Sequence, residues 1–437
     1  MACSLVQDSQ SAIPRTPVRG AVYLLTLALC IPTRLFALQM PGHHQFLVPV
    51  MTIVVLFAWV IFLRGRLPAV SGNLSLIWFF LVLFGALVFM ASWDNPLHQA
   101  SLMLYGVYLV RIAMFFVLTQ VLVGDEHLQA GVERILTGAL AILAFMMVSG
   151  LLDRIGSYLR ASAVAHGVVM RADAGLGDPN FTAFAFNIGL ALALVWFATA
   201  ETLRQRTLSG IACLLLVAGI GRTVSIGGLI GLMVILVLAG WWMIPRAGSR
   251  ASRLMFVIIG LLCVIAAVGG GLYLARVEQQ VSQAEHSIGA LGSERLNLTL
   301  GGLRMAWVHP LLGVGPANVS RSMPPNLLFP ISSPDQGPHD GFVAVADESG
   351  IPSSLAWVLS IGLIFWLGWK AERRLRCGED RKRYLRHVGL WIAGLSCAVQ
   401  TLALGTQRDP FLWFLLALLL ASAWRNLLIR QPGERIA

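Results

Sequence analysis

The sequence predicts an all-α polytopic membrane protein of about 12 transmembrane helices, with one large external loop between the ninth and the tenth. Composition is the first reason: 57% of the 437 residues are hydrophobic and only 12% are charged. The mean hydropathy of +0.76 lies far outside the soluble range. The second reason is a series of apolar runs long enough for a helix to cross the hydrocarbon, which takes about 20 residues. The third is the distribution of basic residues, which favours alternate connecting segments.

In chain order the candidate spans are 20–38, 46–63, 74–93, 100–123, 132–152, 180–200, 207–221, 223–244, 254–275, 352–369, 387–406 and 411–429. Those at 207–221 and 223–244 are joined by almost no loop. Three regions result: residues 1–275 carry helices 1–9, residues 276–351 form the external loop, and residues 352–437 carry helices 10–12 and a tail. The N-terminus shows no cleavable-signal pattern, because the first apolar run, from near Gly20, lacks a small-residue exit. Cys3, Cys30, Cys213, Cys263, Cys377 and Cys397 fall in spans or in segments assigned to the cytoplasm. They imply neither a disulfide framework nor a metal site, and read as small apolar fillers.

Arginine supplies nearly all of the net charge of +11, since Lys370 and Lys382 are the only lysines. With the N-terminus inside, the cytoplasmic segments hold 21 Lys and Arg residues, densest from Lys370 to Arg386. The opposite segments hold nine: Arg154, Arg160, Arg171, Arg222, Arg276, Arg295, Arg304, Arg321 and Arg408. This bias reports orientation rather than nucleic-acid binding, and places both termini in the cytoplasm. Taken singly, each outward arginine is explained by a lipid phosphate or a neighbouring carboxylate. Four of them read better as an anion-binding group, because arginine suits bidentate phosphate contacts. These are Arg171 near Asp178-Pro179-Asn180, Arg222 in the tight turn, and Arg295 and Arg304 in the large loop.

Within the loop, Ser293 is placed to cap a helix running to Val308, with Glu294 in its first turn. Leu296, Leu300, Leu303 and Trp307 form an apolar stripe suited to the bilayer interface. Arg295 and Arg304 stand nine residues apart, about half a turn out of phase. They grip one phosphate only if Gly301-Gly302 breaks the helix. Arg295 is the better anion ligand, since Arg304 lies beside the stripe, where it can snorkel. After an irregular, proline-rich stretch, Asp340 is placed to cap a helix over Gly341–Ser349, with Gly350 ending it and Pro352 in the first turn of the next span. His339 then stands at a helix N-terminus, whose partial positive charge disfavours the imidazolium and leaves the ring able to accept a proton. The same helix end attracts a phosphate. On local sequence alone the simpler reading is ahead: a loop histidine hydrogen-bonded to Asp340 or Glu348.

The order Arg295, then His309-Pro310-Leu311-Leu312-Gly313-Val314-Gly315-Pro316-Ala317-Asn318, then His339-Asp340 and Glu348-Ser349-Gly350, resembles the O-antigen ligase and polymerase superfamily. Asp178-Pro179-Asn180 is similar to that family too. The resemblance runs from about Arg171 to the end of the tenth span, and the first five spans match only in hydropathy. It implies a metal-independent glycosyltransferase of the GT-C type, without cofactor, in the bacterial inner membrane. Its donor would be a glycan on undecaprenyl pyrophosphate, and its large loop would be periplasmic. The family's loop histidine maps onto His339 as general base and its loop arginine onto Arg295 as pyrophosphate ligand. Arg222, Arg171, Arg304, Asp340, Glu348 and Asn180 are the further candidates for binding pyrophosphate or glycan. The family's Ser-Arg-Gly reads here Ser225-Ile226-Gly227, with Arg222 one turn earlier in its stead. Asp340 replaces the usual Asn, and Ser353 a second glycine.

Ligation to a hydroxyl of the lipid A-core oligosaccharide is the favoured reaction, on chain length and the single dominant loop. A polymerase using the same donor is the alternative, and a protein O-oligosaccharyltransferase ranks lower because the tail is short. A transporter is the rival from another class. The spans hold Arg34 and Arg111 but no clear carboxylate, and no inverted repeat, which argues against proton coupling. Arg111 reads as a partner of backbone carbonyls. Gly227, Gly228 and Gly231 suit close helix packing, and His43-His44 an interfacial loop.

Overall fold

The structure, a computed structural model, describes residues 16–31, 47–63, 72–152, 178–243, 289–328, 340–378, 380–402 and 404–428, with a few positions between them. In order these form α1 (Thr16–Cys30), α2 (Leu47–Leu63), α3 (Gly72–Trp93), α4 (His98–Val123) and α5 (Glu126–Val148). A two-residue antiparallel pair, β1 (Ser162–Ala163) with β2 (Met170–Arg171), precedes α6 (Pro179–Thr199), α7 (Leu203–Thr223) and α8 (Ile226–Trp242). Then come α9 (Gly289–Val308), α10 (Val319–Ser322), a 3₁₀ turn over Pro324–Asn326, α11 (Gly341–Ser349), α12 (Ile351–Arg376), α13 (Arg381–Thr401) and α14 (Pro410–Leu428).

Among the described residues, seven helices (α3–α7, α12 and α14) are long and apolar enough to cross a membrane, and α1, α2 and α8 are shorter apolar helices. Eleven of the candidate spans therefore coincide with helices, α13 being the one too polar in its first turns to meet that measure. Most of the remaining span, 254–275, lies outside the described residues, as do Arg34 and His43-His44. The apolar window is 89% buried in α6 and 83% in α14, against 39% in α3 and α7. Helices apolar on every side therefore make the centre, and those with one open face make the rim. Centrally, α6 packs on α7 and α13, and α14 on α4 and α12.

Local chemistry starts these helices where it should. Asp125, Thr202, Ser225 and Asp380 each accept a hydrogen bond from a backbone N–H of the first turn of α5, α7, α8 and α13. Asp178 does the same for α6, with Pro179 at its first position. The tight turn between α7 and α8 consists of Val224, at φ 50°, and the cap Ser225.

The basic segments meet at one end of the bundle. There Arg19 pairs with Asp125 at 2.7 Å, and Arg386 with Glu126 at 3.2 Å and Glu133 at 3.1 Å. Arg374 donates to Leu427 O, Arg381 to Ala198 O and Arg425 to Val123 O. One expectation needs correcting. Long helices do bury carboxylates: Glu133 in α5, and Glu372 in α12, which accepts from Arg376 and Tyr384. Both stand within a few turns of the basic end and are held by cations or hydroxyls, so they act as structural pairs and mark no proton path.

Candidate functional site

The opposite end carries the sequence motifs, and two of them are locked together through the backbone. Val314 N donates to Asp347 O at 2.8 Å, Gly315 N to Glu348 O at 2.9 Å, and Ile351 N to Pro310 O at 2.9 Å. The Pro310–Gly315 strand of chain is thus clasped to the C-terminal end of α11. Gly313 (φ +63°) and Gly350 (φ +88°) make this possible. A Cβ at Gly313 would meet Asp347 O at 2.4 Å, and one at Gly350 would meet Leu311 O at 2.2 Å. Asn95, just beyond α3, fixes the outer side of the clasp by donating to Val314 O at 3.0 Å.

Helix α11 forms as its sequence requires. Asp340 Oδ1 accepts from Phe342 N at 2.8 Å and Val343 N at 3.1 Å, Gly350 ends the helix, and Pro352 opens α12. At its far end Glu348 is buried and engaged. Tyr108 of α4 donates to Oε2 at 2.8 Å, and Arg408 Nη2 lies 2.7 Å from Oε1. The Arg408 guanidinium also sits 5.4 Å from the centre of the Tyr108 ring. Gln407 donates more weakly to Oε1 at 3.5 Å. Arg111 of α4 donates to Arg408 O at 3.1 Å, the backbone-carbonyl partnership its sequence position suggests. Beside this cluster Asp347 is fully buried, and neither carboxylate oxygen has a hydrogen-bond partner among the described residues. Burial, with the Glu348 charge next to it, pushes the Asp347 carboxyl well above the usual range.

A second set of contacts joins α6, α8 and α13. Ser225 donates to Asn180 Oδ1 at 2.8 Å, which brings Asp178-Pro179-Asn180 against the turn that follows Arg222. Arg222 itself is exposed in the last turn of α7. Asn187 donates to Gly228 O at 2.9 Å and Gln400 Oε1 at 3.2 Å, and Ser396 donates to Gly231 O at 2.9 Å. Added Cβ atoms at Gly228 and Gly231 would meet Ala183 and Gln400, so these two glycines serve packing; Gly227 has no such neighbour.

Other sequence expectations change. Helix α9 begins at Gly289, so Ser293 and Glu294 lie inside it rather than at its cap. It continues unbroken through Gly301-Gly302, where Gly302 allows close approach to Pro338 and Val343. Positions 295 and 304 therefore stand about half a turn out of phase on one continuous helix. Arg304 is exposed and donates to Asn326 O at 3.4 Å, while Leu296, Leu303 and Trp307 form an open apolar face. Glu348 faces Tyr108 and Arg408, and Asp340 Oδ1 is occupied by the helix cap. Residue 339 and the side chains of Arg171 and Arg295 lie outside the described residues.

Tyr108, Gln407 and Arg408 were not named by the sequence as candidate site residues. Arg408 carried one signal, as an outward arginine in a short connection. The other two carried none, because an apolar-flanked tyrosine and a glutamine reveal no partner 240 and 59 positions away.

The fold is that of a multi-pass membrane protein, and at this end of the bundle the Pro310–Gly315 segment is clasped onto the end of α11. Residues 211–358 match the family described as O-Antigen ligase. About a third of the chain is thus similar to a domain of the O-antigen ligase superfamily. The matched segment includes the Arg222 turn, α9, the clasp and α11, and excludes Asn180 and Arg171. No curated protein matches the chain.

Proposed function

We propose that this protein is an O-antigen ligase of the bacterial inner membrane. It transfers a glycan from undecaprenyl pyrophosphate to a sugar hydroxyl of lipid A-core on the periplasmic side. The observation that carries this reading is the family match over 211–358, which contains both halves of the clasp. In the reaction the acceptor oxygen attacks the anomeric carbon as the bond to the diphosphate oxygen breaks, with inversion. His339, adjacent to the capped start of α11, takes the hydroxyl proton. Such positioned transfer is typically worth about 10²–10⁴-fold.

Arg295 holds the departing diphosphate, joined by Arg222 at the exposed end of α7 and by Arg171. Arginines can carry that charge without a metal, and removing one such donor typically costs on the order of 10²–10³ in rate. A wholly apolar cleft of ≈ 430 Å³ runs along α8 from Ile226 to Leu238. It begins directly after the Arg222–Ser225 turn and supports placing the lipid tail there. The concentration of paired basic residues at the other end supports both termini being cytoplasmic.

The test is complementation of a strain lacking its ligase, followed by analysis of the lipopolysaccharide. Long glycan attached to lipid A-core is the expected result. Lipid-linked polymer without attachment would move the assignment to a polymerase.

A further inference from the structure

The connection between α13 and α14 runs alongside α11 and touches both of its ends. At the start of α11, a Cβ on Gly341 would lie 2.7 Å from Thr401 Cγ2 and 3.4 Å from Leu404 O. At its finish, Arg408 meets Glu348 at 2.7 Å. Between these points the connection is braced by the Thr401–Thr406 hydroxyl contact at 2.6 Å, and it is tied to α14 by Trp413, which donates to Gln407 O at 2.9 Å. Tyr108 closes the second oxygen of Glu348 from α4, and Arg111 holds the Arg408 carbonyl from the same helix. One ion pair therefore joins three separate parts of the chain around a helix of nine residues. A buried carboxylate with both oxygens engaged is not open to a sugar or a diphosphate.

We propose that Arg408 and Glu348, with Tyr108, are positioning residues: their pairing holds the 402–409 connection against α11 and so sets the Asp340 end of that helix for reaction. The proposal rests on the transferase reading. It removes Glu348 from the substrate-binding set and adds two residues outside the matched 211–358 segment, Tyr108 and Arg408, to the machinery. Because misplacement by about 1 Å can cost on the order of 100-fold in rate, the pair acts on turnover and not on substrate affinity.

The experiment compares wild type, Arg408→Ala, Arg408→Lys, the single variants Glu348→Arg and Arg408→Glu, and the exchange that combines these two, each in nanodiscs with lipid-linked glycan and lipid A-core. Two quantities are read: kcat and KM for each substrate, and hydrogen exchange over residues 337–350. For Arg408→Ala, kcat should fall about 100-fold with both KM values unchanged, and exchange over 337–350 should rise. Arg408→Lys should recover part of both. The exchange variant should do better than either of its single substitutions. A raised KM at constant kcat would overturn the proposal by making the pair a substrate ligand, and unchanged kcat and exchange would overturn it outright. Inactive wild-type protein defeats the transferase reading; the exchange data then decide separately whether the pair holds α11.

Discussion

With Tyr108 on one oxygen and Arg408 on the other, Glu348 cannot be removed without leaving a guanidinium uncompensated against an aromatic ring. Removing one partner of a buried pair costs about 3–5 kcal/mol. Arg408 keeps 29% of its side chain exposed, so Glu348→Ala should lie near the lower end, about 3 kcal/mol. A denaturation midpoint in detergent measures this; a loss below 0.5 kcal/mol would show the pair to be ordinary surface pairing, as in exposed salt bridges. Asp347 predicts a pH dependence of definite sign. Its carboxyl is raised in the folded state, so its contribution to stability is complete at acid pH, below the ordinary carboxylate range. That contribution is lost as the pH rises through the raised value. Asp347→Asn removes the titration, and should flatten the loss of melting temperature as the pH rises above the ordinary carboxylate range, while leaving acid stability in place. An unaltered pH slope would contradict it. At the chemical centre, His339→Ala should give inserted, folded protein without transfer activity, checked by size-exclusion profile and glycan release together; full activity would remove the base.

At the scale of elements, the clasp between Pro310–Gly315 and α11 is the unit that fails first. Non-glycine residues in such backbone conformations cost of order 1–3 kcal/mol. Here the added Cβ also meets backbone oxygen at 2.2 Å for Gly350 and 2.4 Å for Gly313. Gly350→Ala and Gly313→Ala should each therefore raise hydrogen exchange over 310–316 and 341–350 together, while α6 and α14 keep their protection. Separate responses of the two segments would contradict the clasp. These elements also show how far the sequence reads. Asp340, Gly350 and Pro352 announce α11 because capping and helix breaking act within four residues. The start of α9 was misplaced because Ser293 is a good cap in isolation, whereas the helix already begins a turn earlier, at Gly289. The Tyr108–Glu348 bond joins positions 240 apart, and Arg408 lies in a connection too short to attract notice. Nothing local encodes such pairings, so sequence reasoning named Glu348 without either of its partners.

For the whole molecule, hydropathy and arginine placement were enough to give the helical bundle, because lipid forces each span to satisfy its own backbone. They were also enough to sort its two ends. The basic end should face the cytoplasm. Cys377, exposed beyond α12, should resist a membrane-impermeant maleimide in spheroplasts, whereas Leu311→Cys, beside the clasp, should react. The reverse pattern would put the loop on the wrong side for the proposed reaction.

The central claim is a stoichiometric one. Purified protein in nanodiscs, given an undecaprenyl-pyrophosphate glycan and lipid A-core, should release undecaprenyl pyrophosphate and glycosylated lipid A-core in equal amounts. Release of the diphosphate with only a longer lipid-linked glycan, or no release at all, would contradict it.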